Sequence, residues 1–108
     1  MIYTVDGLKA RVSPIAKKYG LRAVYLFGSY ARNEATEDSD VDLLIDRTGS
    51  KVKGMFDMGS LYPDLQERIG KEIDLVTLQT LEQESTRRRT PAFVSNLNAQ
   101  RVQIYGSG

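Results

Sequence analysis

Two short apolar runs in this chain carry an acid inside them, and that placement limits the possible folds. They are Val41-Asp-Leu-Leu-Ile-Asp46, directly preceded by Asp40, and Ile73-Asp-Leu-Val-Thr77. Both are rich in strand formers and bounded by polar or glycine-containing stretches. Side chains alternate across a strand, so Asp40 and Asp42 share one face while Val41, Leu43 and Ile45 share the other. Such a strand buries its apolar side and presents carboxylates on the opposite side. Two carboxylates roughly 6.6 Å apart along a strand converge on one cation or bracket two. Without a cation they repel, and one tends to keep its proton. The plainer reading of Asp-X-Asp is a solvated strand edge. Asp74 is similarly open: it either pairs with a nearby cation such as Lys71, or completes a three-carboxylate cluster if its strand lies beside Val41–Asp46.

The rest of the chain supplies a frame for these strands. Leu8, Val12, Ile15, Ala16 and Tyr19 recur at helical spacing, predicting a helix from Val5 to about Tyr19, capped by Thr4 and ended by Gly20. Pro14 either kinks this helix or, with Ser13, marks its true start. Ala23–Phe27 reads as a strand ended by Gly28, and Arg47 to Gly54 as a loop. Met58, Leu61, Tyr62, Leu65 and Ile69 form a second helical stripe closed by Gly70. Thr80 with Gln83 resembles a capping box, Thr90-Pro91 a further helix start, and Arg101 to Tyr105 a last strand. Helices and strands in this order predict an α/β (α+β) fold, a small mixed sheet flanked by helices. We expect one domain over residues 1–105, with 106–108 as a disordered end or expression remnant.

Composition narrows the chemistry. The chain of 108 residues has no cysteine and no histidine, which removes thiolate nucleophiles, disulfides and imidazole ligands. Proton transfer then falls to carboxylate, lysine, tyrosine or metal-bound water. No apolar run suits a membrane span and no signal peptide is visible, so a cytoplasmic address is expected. The net charge of +1 is too small for a whole-protein nucleic-acid footprint, and no direct nucleic-acid binding is expected. That total conceals an asymmetry. Glu34, Glu37, Asp38, Asp40, Asp42 and Asp46 fall in a stretch without Lys or Arg, whereas from Arg87 to the end there are the arginines Arg87, Arg88, Arg89 and Arg101 and no acid. The acidic stretch suggests a cation site, and the basic one an anion or an acidic partner; solvated faces would also account for both.

Gly28-Ser29 follows the first strand. Glycine allows a sharp turn and close approach to a ligand. If Tyr30-Ala31-Arg32 opens a short helix, Ser29 lies at its start, where free amides suit a phosphate and Arg32 reaches the same anion. A plain turn with a serine cap is the simpler alternative. Three aspartates suit magnesium, with manganese as a substitute. Two such ions would stabilise the attacking and leaving oxygens of displacement at phosphorus, Asp40 and Asp42 bridging both and Asp74 serving the acceptor side.

Together, Gly28-Ser29, the ten residues Tyr30 to Ser39, and Asp40-Val41-Asp42 resemble the signature of the nucleotidyltransferase superfamily that includes DNA polymerase beta. The longer string Leu26-Phe-Gly-Ser-Tyr-Ala-Arg32, Glu34-Ala35 and Ser39-Asp-Val-Asp-Leu-Leu-Ile45 is similar to the minimal nucleotidyltransferases of prokaryotes. That resemblance implies a polymerase beta-like fold, Asp40, Asp42 and Asp74 as catalytic metal ligands, and Gly28, Ser29 and Arg32 at the phosphates. It also implies ATP as donor and AMP transfer to a tyrosine of a partner toxin of the HEPN family. A contact-only antitoxin and an enzyme acting on a small aminoglycoside-type molecule are the alternatives. One departure is visible: Asn33 stands where the family usually has glycine, and asparagine tolerates a left-handed backbone better than most residues.

Overall fold

The computed structural model describes residues 2–52, 55–78 and 101–106. The expected capping box at Thr80, the Thr90-Pro91 start and the Arg87–Arg89 triplet lie outside these residues. Helix α1 spans Val5–Tyr19 with Thr4 as N-cap, its side chain accepting from the Gly7 amide, and Gly20 in left-handed conformation at the C-cap. The helix runs through Pro14 rather than beginning there. Proline removes the amide that would bond the Ala10 carbonyl, but Ala10 and Pro14 are both exposed, so water meets that carbonyl. Ser13 adds a hydroxyl bond back to the Lys9 carbonyl at 2.6 Å.

Strand β1 is Ala23–Phe27, followed by the four-residue helix α2, Gly28–Ala31, and by β2, Val41–Asp46. Helix α3, Met55–Ile69, leads to β3, Ile73–Thr77, and β4 is Val102–Gly106. The sheet order is β3-β2-β1-β4, with β1 antiparallel to β2 and β4, and β2 parallel to β3. A parallel pair needs a crossover, and α3 supplies it. Gly106, expected to begin a loose end, instead closes β4 opposite Ala23. Its φ is +105, and a side chain there would lie 2.4 Å from the Arg22 carbonyl oxygen, so only glycine suits the position.

Helices α1 and α3 cover one face of the sheet. Leu8, Val12 and Ala16 of α1 and Leu61, Leu65 and Ile69 of α3 are buried with Val24, Leu26, Val41, Leu43, Ile45 and Ile104. Each of the larger side chains contributes about 1.5–3 kcal/mol by leaving water. The alternation expected of β2 therefore holds: its odd-numbered residues build the core and Asp42 is turned the other way. Leu44 departs from the simple picture, because it lies on the Asp42 face and is nonetheless fully buried. A hydroxyl network ties the layer together: Tyr62 donates to the Ile73 carbonyl at 3.0 Å, and Tyr19 donates to Asp64, which also pairs with Lys18 at 3.2 Å.

Candidate active site

The parallel register sets Asp42 directly opposite Asp74, and the antiparallel register on its other side sets Asp42 opposite Phe27. Gly28 follows Phe27, so the turn after β1 comes against the Asp42 carboxylate. Gly28 has φ +70, and a Cβ built on it would lie 2.1 Å from Asp42 Oδ2 and 3.1 Å from Cγ. Glycine is thus required twice over: for the left-handed backbone and for the carboxylate that fills the side-chain space. Ser29 lies in the first turn of α2 rather than at its cap; Phe27 occupies the cap and supplies no side-chain hydrogen bond. The amides that open so short a helix have no intrahelical acceptor.

Asp40 ends the loop that enters β2. That loop is held at several points. The Thr36 amide donates to Ser39 Oγ at 2.8 Å, and Lys71 Nζ donates to the Glu37 carbonyl at 2.7 Å. The Val41 amide donates to the Glu72 carbonyl at 3.0 Å. Lys71 therefore braces the loop and is not the partner of Asp74 that a simple ion-pair reading would require; Asp74 has no ion pair among the described residues. At the loop's start Asn33 has φ +59, a left-handed conformation that asparagine tolerates better than most residues. Arg32 pairs with Glu34 at 3.2 Å.

The Asp42 carboxyl feels both neighbouring acids. Half-buried Asp42 has its pKa pushed up to about 6, first by desolvation and then by the charges of Asp74 and Asp40, with Arg32 acting in the opposite direction. Asp40, two residues before it, and Asp74, opposite it on β3, are both exposed. Among the described residues no three acids already converge on a single point, so gripping one ion requires these side chains to turn inward. The donors are all carboxylate oxygens, which fit a hard divalent cation such as magnesium. The structure also brings to this face residues that strand assignment alone did not single out. Tyr25 and Phe27, spaced two apart on β1, share it with Asp42, and Arg101 lies over the Tyr25 ring. The two-residue spacing of Tyr25 and Phe27 was the available signal.

Strand-borne aspartates beside a glycine turn at the end of a strand suit a nucleotidyl-transferring enzyme of the polymerase beta type, and comparison with known proteins agrees. Residues 11–91 match the polymerase beta nucleotidyltransferase family. The protein adenylyltransferase MntA of Thermococcus cleftensis is 35% identical over 75 residues, covering 69% of this chain and 74% of that protein. A solved structure described as a candidate minimal nucleotidyltransferase is 26% identical with a TM-score of 0.68, covering 93% of this chain and 95% of the other. An antitoxin in complex with the tri-AMPylated HEPN toxin of Shewanella oneidensis shares the fold, with 18% identity and a TM-score of 0.59 over 93% of this chain and 71% of that one. This chain belongs to the polymerase beta nucleotidyltransferase family, in its minimal branch. Among the described residues no helix is long and apolar enough to cross a membrane.

Proposed function

We propose that this nucleotidyltransferase moves AMP from ATP to a tyrosine hydroxyl of a HEPN-family toxin and thereby acts as its antitoxin, in the cytoplasm. The observation that carries the reading is the close approach of Gly28 to Asp42, itself opposite Asp74, which supports a glycine turn working together with these carboxylates. Asp40, Asp42 and Asp74 would hold magnesium, two ions in this reading, which when bound would supply neutralisation of phosphate charge and a lower pKa for the acceptor hydroxyl. Gly28 and Ser29 receive the triphosphate, and Arg32 reaches the same anion from one turn further on. The tyrosine oxygen forms a bond to the α-phosphorus, the bond from that phosphorus to the bridging oxygen breaks, and pyrophosphate leaves. The hydroxyl proton passes to Asp74, the exposed carboxylate on the acceptor side.

Incubating the protein with magnesium, α-labelled ATP and a HEPN partner tests this reading. Label appearing on a partner tyrosine, and absent with Asp40→Ala/Asp42→Ala, supports it. Tight partner binding without transfer would replace it with an antitoxin that works by contact alone.

A further inference from the structure

The sheet face that carries the aspartates extends beyond them. Phe27 stands opposite Asp42 and Tyr25 opposite Leu44, and cross-strand partners share a face. On the far side, β4 pairs Val102 with Leu26 and Gln103 with Tyr25. Arg101 directly precedes Val102, so it enters the sheet level with Phe27, at the same end as Gly28 and Ser29. Its side chain folds back over Tyr25, with the guanidinium carbon 4.3 Å from the ring centroid. Arg101 and Tyr25 are both half-buried, and Arg101 forms no ion pair among the described residues.

A guanidinium supported on an aromatic ring is fixed in place, and its planar π-system stacks on a second flat ring. Tyr25 lies two residues, about 6.8 Å, behind Phe27 along β1. A nucleotide whose phosphates rest at Gly28-Ser29 would span that offset with its ribose and bring its base to Arg101. The phosphate end is served by the turn and by Arg32, which leaves the set-back guanidinium for the base. Building on the nucleotidyl-transfer reading above, we propose that Arg101, supported by Tyr25, is the platform on which the nucleobase of the donor stacks. Stacking of this kind reads ring area rather than hydrogen-bonding edges, so the site favours purines over pyrimidines without strict choice between adenine and guanine.

The test uses the whole chain with magnesium and two ligands: an ATP analogue with a methylene α–β bridge, and inorganic tripolyphosphate, which has no base. Calorimetry should show Arg101→Met weakening the ATP analogue about tenfold while leaving tripolyphosphate within about twofold. Tyr25→Leu should produce the same selective loss. Arg101→Lys should resemble Arg101→Met, because an ammonium keeps the charge without the planar group. Thermal melts verify that each variant is folded. Equal losses for both ligands would assign Arg101 to phosphate and overturn the platform, as would an unaffected Arg101→Met or an Arg101→Lys that binds the ATP analogue as tightly as the wild type. A wild-type chain that binds neither ligand would instead sink the nucleotidyl-transfer reading itself.

Discussion

Replacing Asp42 with asparagine should make the ion-free protein more stable while abolishing its reaction. The Asp42 carboxyl is raised from 3.8 to about 6 by burial and by the charges of Asp74 and Asp40. A shift of that size corresponds to about 3 kcal/mol at most, at 1.36 kcal/mol per pKa unit. Asp42 is only half-buried, so screening by solvent reduces this to about 1 kcal/mol. The sign follows from proton linkage. The folded state binds the proton more tightly than the unfolded chain, so stability falls as pH rises from near 3.8 to above 6, and the full penalty applies at neutral pH. Asparagine has the same shape and no charge, and among the described residues the Asp42 side chain makes no hydrogen bond to lose. Thermal melts in chelator at pH 7.5 should therefore place Asp42→Asn roughly 4–8 °C above the wild type, as expected for about 1 kcal/mol in a domain of this size. Near pH 4 the gap should close. Added magnesium should raise the wild-type melting point and leave the variant almost unmoved. A variant less stable than wild type at pH 7.5, or a gap that does not change between pH 4 and 7.5, would refute the argument.

Gly28→Ala combines a left-handed φ with a Cβ placed on the Asp42 carboxylate; it should cost about 2 kcal/mol or more in urea melts and eliminate nucleotide binding. Tyr30 is buried, and among the described residues its hydroxyl has no hydrogen-bond partner, so Tyr30→Phe should stabilise the fold by about 1 kcal/mol in the same assay, with any destabilisation counting against the reading. Tyr19 has its pKa pushed up to about 12 by its hydrogen bond to Asp64, by burial and by the Asp64 charge. Ultraviolet titration should show one tyrosine ionising near pH 12, and Asp64→Ala should return it toward the ordinary phenol range.

How much of this could be read from residue order depends on how local each signal is. Most of helix α1 is legible because its apolar stripe, the Thr4 cap and the Gly20 stop are each local signals, with Pro14 leaving the start open. The same holds for β2, whose alternation separates core from carboxylates in six residues. Pairing is a different matter. Nothing in Ile73–Thr77 states that it runs parallel to β2 in a register that aligns Asp74 with Asp42; that follows from the length and packing of α3. Lys71 stands close enough in sequence to suggest an ion pair with Asp74, yet it bonds a backbone carbonyl 34 residues away in sequence, an acceptor that every residue carries and no side chain advertises. Arg101 read as one arginine among several in a basic stretch, and only the β1–β4 pairing gives it a place over Tyr25. Pro14 was ambiguous for a reason that is also nonlocal: whether a helix tolerates it depends on which face meets water.

The space shared by Gly28 and Asp42 has an evolutionary consequence. Because the carboxylate occupies the volume where a side chain at position 28 would stand, mutations at the two positions are epistatic. A chain that retains Asp42 is locked into glycine at 28, whereas one that first trades Asp42 for a smaller residue opens room there. Part of the barrier would remain, because φ +70 still disfavours branched side chains. Decay of such an enzyme into a binding protein should therefore be ordered, with the carboxylate lost before the glycine.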